Sequence, residues 1–327
     1  MKVLIIGGTS AIASEAAKLF ARDGAHLFLT GRSSDKLAAV AADLGVRGAR
    51  VDTAILDVAS LSSHRQVLDT AIRTLGGLDA VLVAHGTLPD QERCQQSVED
   101  TVEAAHVNFT ATIALLTLVA NELEAQRHGC LAVITSVAGD RGRPTNYVYG
   151  AAKGGVGIFL QGLRARLSRS NVAVVTIKPG LVDTPMTAGL RKNPLFADAR
   201  RVGGGVYRAI MRRTDVVYLP WFWRPVMAAI TSLPETAANP FEAQARGRHV
   251  VRPRCPDLHA GARPGGGEAH RGRSHRHQSG AHAGVEQRPD RGPGQQAEAA
   301  QAADVWPRQL RSPPTARAPC CLRSSSR

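Results

Sequence analysis

Cysteine is scarce, with five in 327 residues. Cys94 and Cys130 stand far apart, and Cys255, Cys320 and Cys321 fall near the C-terminus without metal-ligand spacing. A disulfide framework and a zinc module are thereby excluded, and no metal site is expected. Aromatic residues are equally thin, seven Phe, four Tyr and three Trp, so no stacking platform for single-stranded nucleic acid is expected. No apolar run approaches the roughly eighteen residues of a membrane span, and no signal peptide stands before the first apolar segment. The expected compartment is the reducing cytoplasm.

Lysine, methionine, isoleucine and tyrosine are missing altogether from residues 238–327. That stretch carries 15 Arg against 7 acids, a charge of 15 − 7 = +8, within an Arg/Pro/Gly/Ala/His mixture. Residues 1–237 carry 26 − 20 = +6, which completes the total of +14. A segment with so few large apolar residues cannot bury enough surface to offset its ordering entropy. The expected organisation is therefore one folded domain at 1–236 and a disordered tail at 237–327. The tail's histidines, including His270, His275 and His277, read as a solvated low-complexity run. Its basic charge admits nucleic-acid binding in principle, but it lacks interleaved aromatics and any known module, so specific binding is not expected. So abrupt a change of composition is also what an out-of-frame reading of G+C-rich DNA produces, and reading the other frames beyond codon 236 tests that origin.

What is present is alternation. Apolar runs at Val3–Ile6, His26–Thr30, Thr53–Leu56, Ala80–Ala84, Leu131–Thr135, Val172–Ile177 and Val216–Leu219 alternate with longer amphipathic stretches, the longest at Glu99–Gln126 and Tyr147–Ser168. The expected fold is a Rossmann-type, doubly wound parallel α/β sheet of about seven strands with helices on both faces. The first run leads directly into Gly7-Gly8-Thr9-Ser10 and a helical pattern from Ala11 to Arg22. A tight glycine turn of this kind presents backbone N–H groups and a positive helix end to a pyrophosphate.

Ser136 follows an apolar strand, and Tyr149 and Lys153 stand at i and i+4, on one face of a helix and about one turn apart. A lysine ammonium at that range is expected to favour the phenolate and to pull the tyrosine towards a working pKa near neutrality. The Ser136 hydroxyl would hold a carbonyl oxygen against the phenol. A nucleotide cradle upstream and an acid–base tyrosine downstream point to hydride transfer at a carbonyl.

In these motifs the chain resembles the short-chain dehydrogenase/reductase family from Met1 to about Thr236. The resemblance implies that Gly7, Thr9, Ser10 and Ile12 belong to the glycine motif, with Ala11 and Ala13 where the family has glycines. It implies that Asp57 and Val58 contact adenine, and that Ala84-His85-Gly86 forms the turn after the fourth strand, with His85 filling the place of a small residue. Asn108 would order a water that supports a proton relay, and Ser136, Tyr149 and Lys153 would be catalytic. Tyr149 and Lys153 would also touch the cofactor, and Pro179, Gly180, Val182 and Thr184 would grip the nicotinamide. It further implies a homo-oligomer built on the long helices.

The second strand ends in Gly31-Arg32 with no acidic residue, so a guanidinium faces the adenosine ribose and NADP(H) is the expected cofactor. Ser136-Val-Ala-Gly-Asp-Arg141, Tyr147-Val-Tyr149-Gly150 and the ending Tyr218-Leu-Pro-Trp-Phe-Trp-Arg-Pro225 resemble the family's reductases of decaprenylphosphoryl-2-keto-erythro-pentofuranose. That implies a lipid-linked keto-sugar substrate and peripheral contact at the inner membrane face through Trp221, Phe222 and Trp223. A core-packed last strand and helix, a soluble reductase of another small or fatty ketone, and a non-catalytic dinucleotide sensor are the alternatives.

Overall fold

A computed structural model describes residues 1–234. The tail expected at 237–327, with its basic charge, histidines and three cysteines, lies outside the described residues. Seven parallel strands form one sheet: β1 (Lys2–Ile6), β2 (His26–Gly31), β3 (Arg50–Ile55), β4 (Ala80–Val83), β5 (Gly129–Ile134), β6 (Val172–Pro179) and β9 (Val216–Leu219). Their order is β3-β2-β1-β4-β5-β6-β9, the doubly wound arrangement expected. Two short strands, β7 (Val182–Asp183) and β8 (Ala197–Asp198), pair separately. They are too short to leave a periodic signal.

Central strands read as unbroken apolar runs because both of their faces are covered. Leu4 and Ile6 of β1, Val81 and Val83 of β4, and Leu131 and Val133 of β5 point into one core. It is closed by α3 (Ser63–Leu75), α6 (Ala111–Gln126) and α7 (Tyr147–Leu167). The alternate residues Val3, Ile5, Ala80, Leu82 and Ala132 point into a second core, closed by α1 (Ala11–Arg22), α2 (Ser34–Val46) and α8 (Ala199–Met211). β3 lies at the edge and is half exposed. It starts three residues before the expected Thr53, because an edge strand tolerates the polar Arg50 and Asp52.

After the short helix α4 (Gln91–Gln96), the run expected as one helix from Glu99 is three pieces: α5 (Val98–Ala105), a π-turn (His106–Thr110) and α6. Together Val98–Gln126 are long and apolar enough to cross a membrane, contrary to the expectation that no such run exists. The reason lies in the core: Ala111, Leu115, Leu116, Val119 and Leu123 are all buried among the residues that cover the sheet. The sequence carries that hydrophobicity for packing against the strands.

Candidate active site

All the strands run the same way, so the loops that follow β1, β2, β4, β5 and β6 meet at one edge. Where the chain order reverses, between β1 and β4, those loops open a cleft of about 580 Å³. Gly7 forms its floor at φ +83°, and a side chain there would meet the backbone nitrogen of His85 at 2.7 Å, so both conformation and space require glycine. The N–H groups of Gly7 and Gly8 donate to the Thr30 carbonyl at 3.0 and 2.8 Å. Helix α1 then starts with no capping side chain on Ser10 and no acid in its first turn. Its first N–H groups stand free beside Thr9, Ser10, Ala11 and Ile12 in the cleft wall, which suits an anion such as a pyrophosphate. Ala11 opens the helix and Ala13 is fully buried on the sheet, so both alanines are accommodated where the family pattern has glycine.

At one end of the cleft stand Arg32, Asp57 and Val58. The Arg32 side chain is exposed, and Asp57 accepts a hydrogen bond from the Ala59 N–H at 3.1 Å. Ala84 and Gly86 form the middle, and Pro179, Gly180, Val182 and Thr184 the opposite wall. On β2, beside Gly31 and Arg32, the buried Thr30 hydroxyl has no hydrogen-bond partner among the described residues. Free helix N–H groups, an orphaned hydroxyl and a glycine floor together fit an extended dinucleotide.

Ser136, Tyr149 and Lys153 share this cleft. Ser136 caps a short 3-10 turn, Val137–Gly139, its oxygen accepting from the Ala138 N–H at 3.1 Å. That cap uses the oxygen and leaves the O–H proton to be shared between the Tyr149 phenol and a ligand. Tyr149 lies in the first turn of α7 and Lys153 one turn on, with the ammonium 5.8 Å from the ring centre. The electrostatics reverse the expectation for this pair. Burial pushes the Tyr149 phenol up to about 12, opposed only by hydrogen bonding from Ser136. Burial likewise pushes Lys153 down to about 8. Desolvation of both groups outweighs any attraction between them, so the phenol rests protonated.

Asn108 sits fully buried behind the cleft, in the π-turn. Its Oδ1 accepts from the Thr87 N–H at 3.0 Å, and its Nδ2 donates to Thr87 Oγ1 and to the Ala104 carbonyl at 3.2 and 3.0 Å. The amide therefore ties the 84–87 turn to the helix, while Oδ1 keeps a second lone pair. A side chain on Gly86 would crowd both Lys153 Nζ and Asn108 Oδ1, at 3.0 and 3.1 Å, so turn, lysine and asparagine form one packed unit. His85 is more than a filler of a small residue's place: the residue lies at the cleft, and its buried ring bonds to Thr112.

Arg143, Asn146, Met186 and Leu190 are among the wall residues that carried no sequence signal. Arg143 is half-buried, and among the described residues the only hydrogen bond of its side chain is to Met227 Sδ at 3.6 Å. Its loop is pinned by Asp140, which accepts from Lys178 at 2.5 Å and from the Tyr218 hydroxyl at 2.8 Å. The aromatic cluster divides. Trp223, at the start of α9 (Trp223–Ser232), is buried and lines the cleft, whereas Trp221 is 72 % exposed. Trp223 packs so closely on Gly180 that a side chain at that glycine would meet Nε1 at 1.9 Å.

Residues 1–195 match the short chain dehydrogenase family. An uncharacterized oxidoreductase of Mycobacterium tuberculosis is 36% identical over 233 residues, 71% of this chain and 93% of that protein. Another, encoded in the mprA 5′ region of Streptomyces coelicolor, is 33% identical over 237 residues, 71% and 92% of the two chains. Among solved structures, a variant of actinorhodin polyketide ketoreductase with NADPH aligns at a TM-score of 0.62 and 20% identity, covering 67% of this chain and 96% of that one. Levodione reductase aligns at 0.61 and 22%, covering 66% and 95%. At those identities the two structures bear on the fold alone.

Proposed function

The chain belongs to the short-chain dehydrogenase family, and on that premise we propose that it is a cytoplasmic NADP(H)-dependent oxidoreductase interconverting a ketone and its secondary alcohol. The observation that carries this reading is the meeting, in one cleft, of the uncapped start of α1, the Arg32 guanidinium and the Ser136–Tyr149–Lys153 group. A nicotinamide bound there supplies or accepts the hydride. The chain does the rest. Ser136 turns its O–H to the carbonyl oxygen and stabilises the charge developing on it. Tyr149, protonated at neutral pH, gives its proton to that oxygen as the alkoxide forms, and the alkoxide, a far stronger base than a phenolate, takes it even from a phenol raised to about 12. Lys153, close to neutral pH at about 8, offers donors to a ribose and reprotonates the phenolate. Asn108 holds the 84–87 turn against Lys153. Exposed Ile158 on α7 and Val102 on α5, 70% and 60% accessible, support self-association.

Loss of NADPH absorbance with a panel of small ketones tests the reading, with NADH and Tyr149→Phe as controls. The variant should bind NADPH normally and turn over at least ~100-fold more slowly. Near-normal turnover would remove Tyr149 from its role, and no turnover by the wild type on any ketone would favour a dinucleotide sensor.

A second, narrower reading makes the ketone a polyprenyl-phosphate keto-sugar. Arg143, a cleft cation with no carboxylate partner among the described residues, favours a substrate bearing an oxyanion. Trp221, exposed beside α9, favours contact with a lipid surface. Equal activity on keto-sugars with and without the lipid phosphate would overturn it.

A further inference from the structure

We propose that Trp223 and Met227 are the size filter of the substrate site: they wall off a second cavity and so limit the group that the ketone carries on the side towards α9. The proposal rests on the reading of the cleft as a ketone site. The second cavity, of about 500 Å³, lies between β9, α9 and Asp140, with Tyr218, Arg224, Met227 and Thr231 in its lining. None of these five residues lines the cleft.

The two spaces are nevertheless close neighbours. Ser136 lines the cleft, and Asp140, four residues on, lines the second cavity. Arg143 of the cleft wall reaches across, its Nη2 lying 3.6 Å from the Met227 sulfur. Between the spaces stands one buried cluster, Val137, Trp223 and Met227. Val137 and Trp223 line the cleft and Met227 lines the second cavity, so the partition is about two side chains deep.

This partition stands beside the reacting groups. Val137 follows Ser136 directly, and the Trp223 indole lies against Gly180 of the opposite wall. A ketone held by Ser136 therefore has Val137 and Trp223 next to it, and a substituent on that side ends at the indole. Trp223 is firmly seated. Gly180 admits it only for want of a side chain, the Phe222 ring packs on it with centroids 5.7 Å apart, and Leu181, Tyr218 and Ile230 pack against the cluster. A close-packed wall of this kind does not yield to a bulky group without losing contacts. The filter thus selects ketones with one compact substituent, and the space that a larger one needs lies just behind it.

The test is a ratio of catalytic efficiencies. With NADPH and the full chain, kcat/KM is measured for acetophenone and for 2-acetylnaphthalene, which differ by one fused ring. Trp223→Ala opens the cleft towards the second cavity. It should raise the ratio of the larger ketone to the smaller at least ~10-fold, the low end of what a pocket gains or loses per methylene group. Trp223→Leu and Met227→Ala should move the ratio the same way by less, and they carry the test should Trp223→Ala fail to fold. Lost packing alone lowers both efficiencies together. An unchanged ratio in Trp223→Leu and Met227→Ala would therefore overturn the filter, as would a wild type equally efficient on both ketones. No turnover of either ketone by the wild type or any variant would overturn the ketone reading instead, a result distinct from an unchanged ratio.

Discussion

Replacing Lys153 by methionine is expected to stabilise the cofactor-free protein while abolishing its chemistry. Lys153 is only 6% exposed, and its ammonium makes one long hydrogen bond, to the Ile134 carbonyl at 3.4 Å. Burial lowers its pKa from 10.5 to about 8. At ~1.36 kcal/mol per unit, that difference corresponds to a penalty of about 3 kcal/mol for keeping the charge inside. The sign follows from proton counting. Below pH 8 folded and unfolded chains both hold the proton, and the penalty is fully present. Between pH 8 and 10.5 the unfolded chain binds a proton that the folded one lacks, so wild-type stability gains on the variant as pH rises; above 10.5 both are neutral and the penalty is gone. Urea titrations of the two proteins should therefore differ by about 3 kcal/mol at pH 7, with the gap narrowing from pH 8 and closed by 10.5. Taking the difference cancels Cys130 and Tyr149, both raised by burial to about 12, which make stability fall with alkaline pH in either protein. A variant no more stable than wild type at pH 7, or a gap indifferent to pH, would refute the claim that Lys153 is held charged against its surroundings.

Arg32→Asp should move cofactor preference from NADPH towards NADH by at least ~10-fold in kcat/KM, since a phosphate-binding cation becomes an anion that accepts from free ribose hydroxyls; an unchanged ratio would leave Arg32 a solvated residue. Gly180→Ala drives a methyl group into the Trp223 ring and should cost about 1–3 kcal/mol in thermal or urea unfolding. Trp223→Leu in the same chain should recover part of that, and a Gly180→Ala variant as stable as wild type would mean the contact is loose. Trp221→Ala in the full chain should weaken association with anionic lipid vesicles relative to wild type, the basic tail being common to both; equal association would take Trp221 out of any membrane contact.

The sheet was legible because its signal is a property of burial on two faces. Val3–Ile6 and Ala80–Val83 have helices on either side, so every residue had to be apolar and the run could be read without knowing its partners. Edge strand β3 is shorter in the sequence than in the fold because none of its residues is fully buried, and the polar Arg50 and Asp52 carry no apolar signal. The π-turn at His106–Thr110 left no mark, since its extra residue depends on Thr112, Asn108 and the 84–87 turn meeting across sequence distance. Likewise Val98–Gln126 is apolar for the sheet beneath it; its length is plain in the sequence, but polar Asn108, Thr110 and Thr112 break it so that no unbroken apolar run stands out.

For the site, residue spacing fixed who meets whom but not the sign of what they do to each other. Tyr149 and Lys153 at i and i+4 do share a face, and the inference that the ammonium lowers the phenol assumed that both remained solvated. Each is instead enclosed, and for an enclosed pair the loss of water acts on both charged forms at once, raising the acid and lowering the base. Burial is a sum over the β4, β5 and α7 neighbourhoods, so no local motif carries it. The same blindness explains His85. From sequence it stood where a small turn residue was expected, and only the fold sets its ring against Thr112 and, by burial, pushes it down to about 3. A histidine held neutral there cannot serve as an acid at working pH, whereas a phenol held protonated can. The acid–base role therefore falls to Tyr149, and His85 is left with geometry alone.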